Sequence, residues 1–220
     1  MSYRSFDLCC SCGHEFTARL WDAINVTEQK TLKSRLLSGE INLIQCKKCG
    51  KKSYIEKELL YHDMNQKLWI QMFPQSERSR WHSLEEENLK KIKKSIKFQK
   101  YQFRLTFGRE ELIEKVRIFE SCLDDRIIEL LKLRVMEEDE QLKSASDLRI
   151  LFSRYVPEDA EIQLHVLSIE KNLSQTVVIS FDHYQEIEEM EEHLKENEKN
   201  QSSEICQGMY INIEKTRVLH

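Results

Sequence analysis

Four cysteines stand in two short brackets, Cys9-Cys10-Ser11-Cys12-Gly13 and Cys46-Lys47-Lys48-Cys49-Gly50. Thiolates spaced C-x-x-C are common donors of a tetrahedral Zn2+ site, and a glycine after each pair permits the tight turn that aims backbone N–H groups at the sulfurs. The spacing proposes Cys9, Cys12, Cys46 and Cys49 as the ligands of one zinc ion. Cys10 offers an alternative to Cys9 that would shorten the first bracket to C-x-C, but the match to the second bracket favours Cys9. Four thiolates leave no coordination position for water, so the metal is expected to be structural. Zinc binding is worth about 10–16 kcal/mol in zinc-finger peptides, more than a module of about 75 residues draws from its core. Removal of the ion is therefore expected to unfold the N-terminal module.

Other chemistry-bearing groups read more plainly. His62-Asp63 has the composition of a general-base dyad, yet no nucleophile motif accompanies it, and a turn capped by Asp63 is the favoured reading. Asp124-Asp125-Arg126 with Glu129 reads as a helix cap with surface ion pairs. The sequence holds no phosphate-binding glycine loop, no G-x-S-x-G and no H-E-x-x-H, so no catalytic residue is assigned and an enzyme is disfavoured. Lys47, Lys48, Lys51 and Lys52 crowd the second bracket, with Tyr54, Tyr61 and Trp69 following as rings on which a base could stack. A solvated lysine loop is the simpler reading, and partner or nucleic-acid contact is the sharper one.

The 220 residues are 40% hydrophobic and 33% charged, the composition of an ordinary globular protein. The net charge of −4 hides an asymmetry: residues 1–100 carry +7 and residues 101–220 carry −11. Such halves could meet an external ion of opposite sign, dock on each other or drive self-association. The seven cysteines, odd in number, point to metal and reduced thiols, with Cys122 and Cys206 inert. No signal-like N-terminus and no membrane-length apolar run is read, so a cytoplasmic location and no membrane partner are expected.

The elements must bring the brackets together. Alternation over Glu15 to Ala23 predicts a strand leaving the first bracket, and Thr27 is read as the N-cap of a helix over Glu28 to Leu37 stopped by Ser38-Gly39. Ile41 to Gln45 and Ser53 to Glu58 predict an antiparallel pair flanking the second bracket, which makes a zinc ribbon with an inserted helix. Leu68 to Phe73 is a further strand ended by Pro74. The expected domains are 1–75 for the zinc module, 76–100 for an exposed charged linker helix from Trp81 to Lys100, and 101–220 for an α+β domain on an antiparallel sheet. The last opens with a strand at Phe103 to Phe107 and an amphipathic helix that breaks at Asp124-Asp125. Strands follow near Arg149 to Phe152, Glu161 to Ile169 and Thr176 to Phe181, then a helix from Tyr184 to Lys199 and a strand at Met209 to Ile213.

The two brackets, Leu37-Ser38-Gly39-Glu40-Ile41-Asn42, Leu60-Tyr61-His62-Asp63, and Ile118 to Glu129 together resemble the bacterial and archaeal CpXC-domain proteins over residues 9 to 135. The second bracket position is usually Pro in that family, and this chain has Cys10 and Lys47 there. The resemblance implies metal on Cys9, Cys12, Cys46 and Cys49 and implies no activity. The sequence reading is thus a zinc-stabilised binding or regulatory adaptor whose partner is another protein. Its rivals are a nucleic-acid-binding regulator using Lys47, Lys48, Lys51 and Lys52, and an enzyme with a site between the two modules.

Overall fold

The computed structural model describes residues 2–93, 100–194 and 204–215. Strands β1 (Ser2–Cys9) and β2 (Glu15–Asn25) pair antiparallel, with the first bracket at the tip between them. Helix α1 (Thr31–Leu37) follows, and then β3 (Leu43–Gln45) and β4 (Lys52–Tyr54) form a second antiparallel hairpin that carries the second bracket. Next come β5 (Leu59–Asp63), β6 (Leu68–Phe73), a 3-10 turn at Gln75–Arg80, α2 (Trp81–Lys93) and β7 (Gln102–Phe107). The main sheet has the order β1-β2-β5-β6-β7. Its β2/β5 and β6/β7 neighbours are parallel, and parallel neighbours require long crossovers. The stretch holding α1 and the second hairpin supplies the first of them, so the hairpin is an excursion from the sheet.

Period-two alternation gives this sheet its buried face. Ile24, Tyr61 and Ile70 stand opposite one another across β2, β5 and β6, each no more than 1% exposed. Burying side chains of this size stabilises the fold by about 1.5–3 kcal/mol each before the entropy of ordering is set against it. Leu32 and Leu36, one helical turn apart on α1, are buried as well. Gly39 at φ +74 closes α1, with Gly39 N–H donating to Leu36 O and Glu40 N–H to Arg35 O, a left-handed stop suited to glycine.

The chain divides into two compact units, Met1–Ile113 and Glu114–His220, and the division falls within helix α3 (Gly108–Glu120). Strand β7, read from sequence as the opening of the C-terminal domain, pairs with β6 and completes the N-terminal sheet. The reason is the crossover: a strand returning after α2 finds the free edge of β6 beside it. Trp81 and Leu84 of α2 are buried, so this part of the expected linker helix packs rather than stands free. Residues 94–99 of that expected helix lie outside the described residues. Helix α1 starts at Thr31, and Thr27 turns its hydroxyl to Asp63 instead of capping the helix.

In the second unit, α4 (Asp125–Glu138) begins after Cys122 at φ +56, and Asp124 caps it by accepting from Arg126 N–H at 2.8 Å. The short helix α5 (Glu140–Lys143) is followed by β8 (Arg149–Val156), β9 (Glu161–Ser168), β10 (Leu173–Ser180) and α6 (Phe181–Leu194). The three strands form an antiparallel sheet of order β10-β9-β8, whose apolar face joins Ile118, Ile128 and Leu131 in one core. The sheet types make the chain α+β. The expected strand at Met209 to Ile213 does not form. That segment is buried, and Ile213 N–H donates to Glu129 Oε2 at 3.1 Å instead of to a neighbouring strand. The part of the expected C-terminal helix beyond Leu194 lies outside the described residues.

Five buried charged side chains form one cluster within this unit, each no more than 2% exposed: Glu114, Lys115, Asp125, Glu129 and Lys132. Lys115 Nζ lies 3.1 Å from Asp125 Oδ2 and 3.0 Å from Glu129 Oε1, while Lys132 Nζ lies 2.6 Å from Glu114 Oε1 and 2.9 Å from Glu129 Oε1. Burial would push Lys115 and Lys132 down, but the surrounding carboxylates hold both above the ordinary lysine value. Burial alone would raise Glu129, and its two ammonium neighbours more than reverse this. Glu114 goes the other way: burial raises it, and its Oε2 meets no hydrogen-bond donor among the described residues.

Candidate metal centre

The first bracket sits on a ladder that runs past the end of β1. Cys10 N–H donates to His14 O at 2.9 Å, and Gly13 N–H closes the turn on Cys10 O at 2.8 Å. Gly13 adopts φ +76 there, as Gly50 adopts φ +74 after the second bracket. In the second hairpin, Cys46 N–H donates to Lys51 O and Gly50 N–H to Cys46 O. Both brackets are thus hairpin tips with a left-handed glycine after the last cysteine.

The ligand atoms of Cys10, Cys12, Cys46 and Cys49 all lie within 4.8 Å of one another. Cys10 Sγ is 3.6 Å from Cys49 Sγ, and Cys12 Sγ is 3.8 Å from Cys46 Sγ. These separations are too long for disulfides, whose sulfurs lie about 2.05 Å apart. A Zn–S bond of about 2.3 Å gives a regular tetrahedron with edges of about 3.8 Å, so the group has the dimensions of a four-thiolate site. The donor set and its spacing fit a thiophilic divalent ion, whose chemistry here would be cross-linking the two tips.

The structure brings together three of the four expected ligands, Cys12, Cys46 and Cys49, and puts Cys10 in the fourth place. Cys9 stands outside the group, its Sγ 3.6 Å from Cys10 O. Strand alternation explains the exchange. Cys9 follows Ser5 and Asp7 on the exposed face of β1, whereas one further step puts Cys10 on the face of the half-buried Phe6 and Leu8. The Phe6/Leu8 alternation was the signal in the sequence that could have found it. The Cys12 N–H leads in lowering the Cys10 thiol to about 6, while Cys12, despite a lowering contact from His14 N–H, is raised to about 12 by burial and its sulfur neighbours. One negative sulfur disfavours the next, and a cation between Cys10 and Cys12 would relieve the pair.

Positioning comes from residues that the spacing of cysteines does not reveal. Asn42, at φ +58 and 4% exposed, accepts from Trp21 N–H at 2.7 Å and donates to Trp21 O at 3.1 Å, while its own carbonyl receives Ile55 N–H. Its side chain thus stands in for a strand residue and ties the second hairpin to β2. Arg109 lies over the Tyr54 ring at 4.4 Å, and burial pushes the Tyr54 hydroxyl up to about 12.

A family model described as CpXC protein matches residues 8–132, more than half of the chain. The chain belongs to the CpXC family. The CpXC match contains both brackets, Asn42, and the five charges of the buried cluster as far as Lys132, and it stops short of β8, β9 and β10. No curated protein and no solved structure matches the chain.

Around the CpXC cysteines, Lys47, Lys48, Lys51 and Lys52 are all exposed, and Lys51 Nζ bonds Ser11 Oγ of the other tip at 2.9 Å. Of the rings considered beside them, Tyr61 is fully buried and Trp69 is half-buried against His62. His62 Nε2 lies 3.1 Å from Tyr101 Oη, and Asp63 caps its turn by accepting from Asn65 N–H and Gln66 N–H while pairing with Lys33 at 3.0 Å. Among the described residues no helix is long and apolar enough to cross a membrane.

Proposed function

We propose that this CpXC protein is a zinc-stabilised cytoplasmic adaptor whose N-terminal unit is a zinc ribbon elaborated by an inserted helix and a sheet. The convergence of four sulfurs at tetrahedral separations carries the reading. With every coordination position taken by thiolate, the ion would hold the two tips in register and would not activate water. What the site then offers is a rigid surface made by two tips, with exposed lysines, on a chain whose halves differ in charge sign. Such a surface suits binding rather than turnover.

The test begins with metal content of the protein as purified, followed by cobalt exchange. The expected result is one ion per chain and the intense sulfur-to-metal absorption of a four-thiolate site. A folded protein without a thiophilic metal overturns the reading. Affinity capture then asks for a protein partner that is lost when the metal is removed.

The exposure of the lysines favours one second reading, contact with nucleic acid. Each phosphate neutralised releases counterions, so affinity for an RNA or DNA oligonucleotide would fall steeply with salt and weaken when Lys47, Lys48 and Lys52 become Glu. Salt-independent or absent binding rejects it and leaves the protein partner.

A further inference from the structure

The three-stranded sheet of the second unit has two edges that are treated differently. At β8 the ladder shifts register between Phe152 and Arg154, Arg149 and Arg154 place charge on the strand, and Glu114 takes the outward N–H of Phe152. A bulge, edge charges and an occupied donor are the usual protections against adding another strand. Strand β10, Leu173-Ser174-Gln175-Thr176-Val177-Val178-Ile179-Ser180, has no charge, no proline and no register shift.

The register shows which groups are left over. Phe181 N–H donates to Ala160 O at 2.7 Å, continuing the β9/β10 ladder, so Leu173, Gln175, Val177 and Ile179 exchange hydrogen bonds with β9. The N–H and C=O groups of Ser174, Thr176 and Val178 therefore point outward at a strand edge with no neighbouring strand among the described residues, while Ser180 hands over to α6. Beside this edge runs a trough of about 330 Å³, with Leu131, Val135 and Leu142 on its helical side and Val177 and Ile179 on the strand. Val178, facing away from the core, is 51% exposed.

We propose that the outer edge of β10 receives an extended polypeptide segment as a fourth strand, with alternate apolar side chains entering the trough. Backbone donors and acceptors in strand register are complementary to another strand, and a trough between strand and helix selects side chains at every second position. Charge chooses the occupant. Arg134 at the trough is already shared between Glu138 at 3.1 Å and Glu186 at 3.4 Å, and Asp139 adds a further acid. The segment is therefore one that carries Lys or Arg beside its apolar positions. A second copy would bring an uncharged β10 and set one half of charge −11 against another.

The inference rests on the adaptor reading only in supposing a protein partner, and it concerns the acidic half rather than the lysine-bearing tips. Panning a random phage-displayed peptide library against the full chain is expected to enrich alternating apolar sequences with Lys or Arg. Val178→Pro removes an outward N–H that the fold does not use, and edge strands tolerate proline. It should weaken an enriched peptide about tenfold or more, as loss of a hydrogen bond and of neighbouring pairing would. Thr176→Lys is a second variant that leaves the backbone intact and should weaken the same peptide. In amide exchange, the bound peptide should protect Thr176 and Val178. Absence of enrichment, or binding that leaves those two amides unprotected, overturns the proposal. Protection that grows with protein concentration and without peptide also overturns it, in favour of self-pairing. Reversing Lys47, Lys48 and Lys52 should leave peptide binding unchanged, which separates failure here from failure of the adaptor reading.

Discussion

Asn42 meets Trp21 with both ends of its amide, accepting from the Trp21 N–H at 2.7 Å and donating to the Trp21 carbonyl at 3.1 Å. Strand β2 begins at the first cysteine bracket and Asn42 precedes the strand that leads to the second, so this contact sets the distance between the brackets. Asn42→Gly would keep the backbone at φ +58 comfortable while leaving the Trp21 N–H without its acceptor and the Trp21 carbonyl with only Lys57 Nζ at 3.4 Å. It is expected to cost about 2–3 kcal/mol, because unsatisfied buried polar groups are expensive, and to weaken metal binding. Urea unfolding with a chelator-competition titration checks both. Unchanged metal affinity would show that the cysteines find one another without the clamp.

Cys9 and Cys10 should separate cleanly by substitution. Cys10→Ser is expected to lose the four-thiolate absorption of the cobalt-loaded protein, whereas Cys9→Ser should leave it and the metal stoichiometry intact. The opposite pattern would mean that the first bracket closes as C-x-x-C in solution.

Metal removal is expected to act locally rather than globally. The sequence suggested collapse of the whole N-terminal module, but the row of Ile24, Tyr61 and Ile70 and the five-stranded sheet form a core of their own. The three-residue strands of the second hairpin have little besides Asn42, Arg109 and the sulfurs to hold them. A chelator should therefore raise amide exchange over residues 43–54 first and lower the unfolding temperature, with the main sheet persisting. Simultaneous loss of protection across both would restore the global view.

Local signals were legible where local physics decides the outcome. Gly39 stops α1, β6 spans Leu68–Phe73 up to Pro74, and Asp124 caps α4. The reading failed where a distant partner decides. Glu129 resembles a surface acid until Lys115, a residue of the preceding helix, is placed 3.0 Å away. Strand β7 looked like the start of a new domain because nothing in its own residues names β6 as its neighbour. Cys9 differs in kind: the matched bracket spacing favours it, whereas the alternation of β1 carries Cys10 to the sulfur cluster.

Asp63 ties stability to acidity with a definite sign. Burial would raise its carboxyl, but Lys33 at 3.0 Å and the Gln66 and Asn65 N–H groups hold it below its ordinary value. A depressed folded pKa means that the contribution is complete above the unfolded value, near pH 3.9, and disappears as pH falls through the folded one. Asp63→Asn is expected to cost about 2 kcal/mol near neutrality, and the difference from wild type should narrow below about pH 4. Denaturant midpoints measured across that range test it, and a gap that widens on acidification contradicts it.

Glu114 and Glu129 are both buried carboxylates bonded to Lys132, yet they should behave oppositely. Glu129 gives Oε1 to Lys115 and Lys132 together and Oε2 to Ile213 N–H, so Glu129→Gln leaves two buried ammonium groups without their shared anion. The expected cost is about 3–5 kcal/mol, typical of a broken buried ion pair. Glu114→Gln keeps an acceptor for Phe152 N–H and removes a carboxylate that burial already penalises, so its cost should be about 1 kcal/mol or less. The pH signs differ too. Glu129, depressed, supports the fold above about pH 4.3 and stops doing so as pH falls through its folded value. Glu114, raised, contributes most below about pH 4.3 and progressively less as pH climbs through its folded value, so the Gln variant should gain on wild type over that rise. Equal costs for the two variants at neutral pH would mean that the lysines draw on both acids alike, and the asymmetry would have to be abandoned.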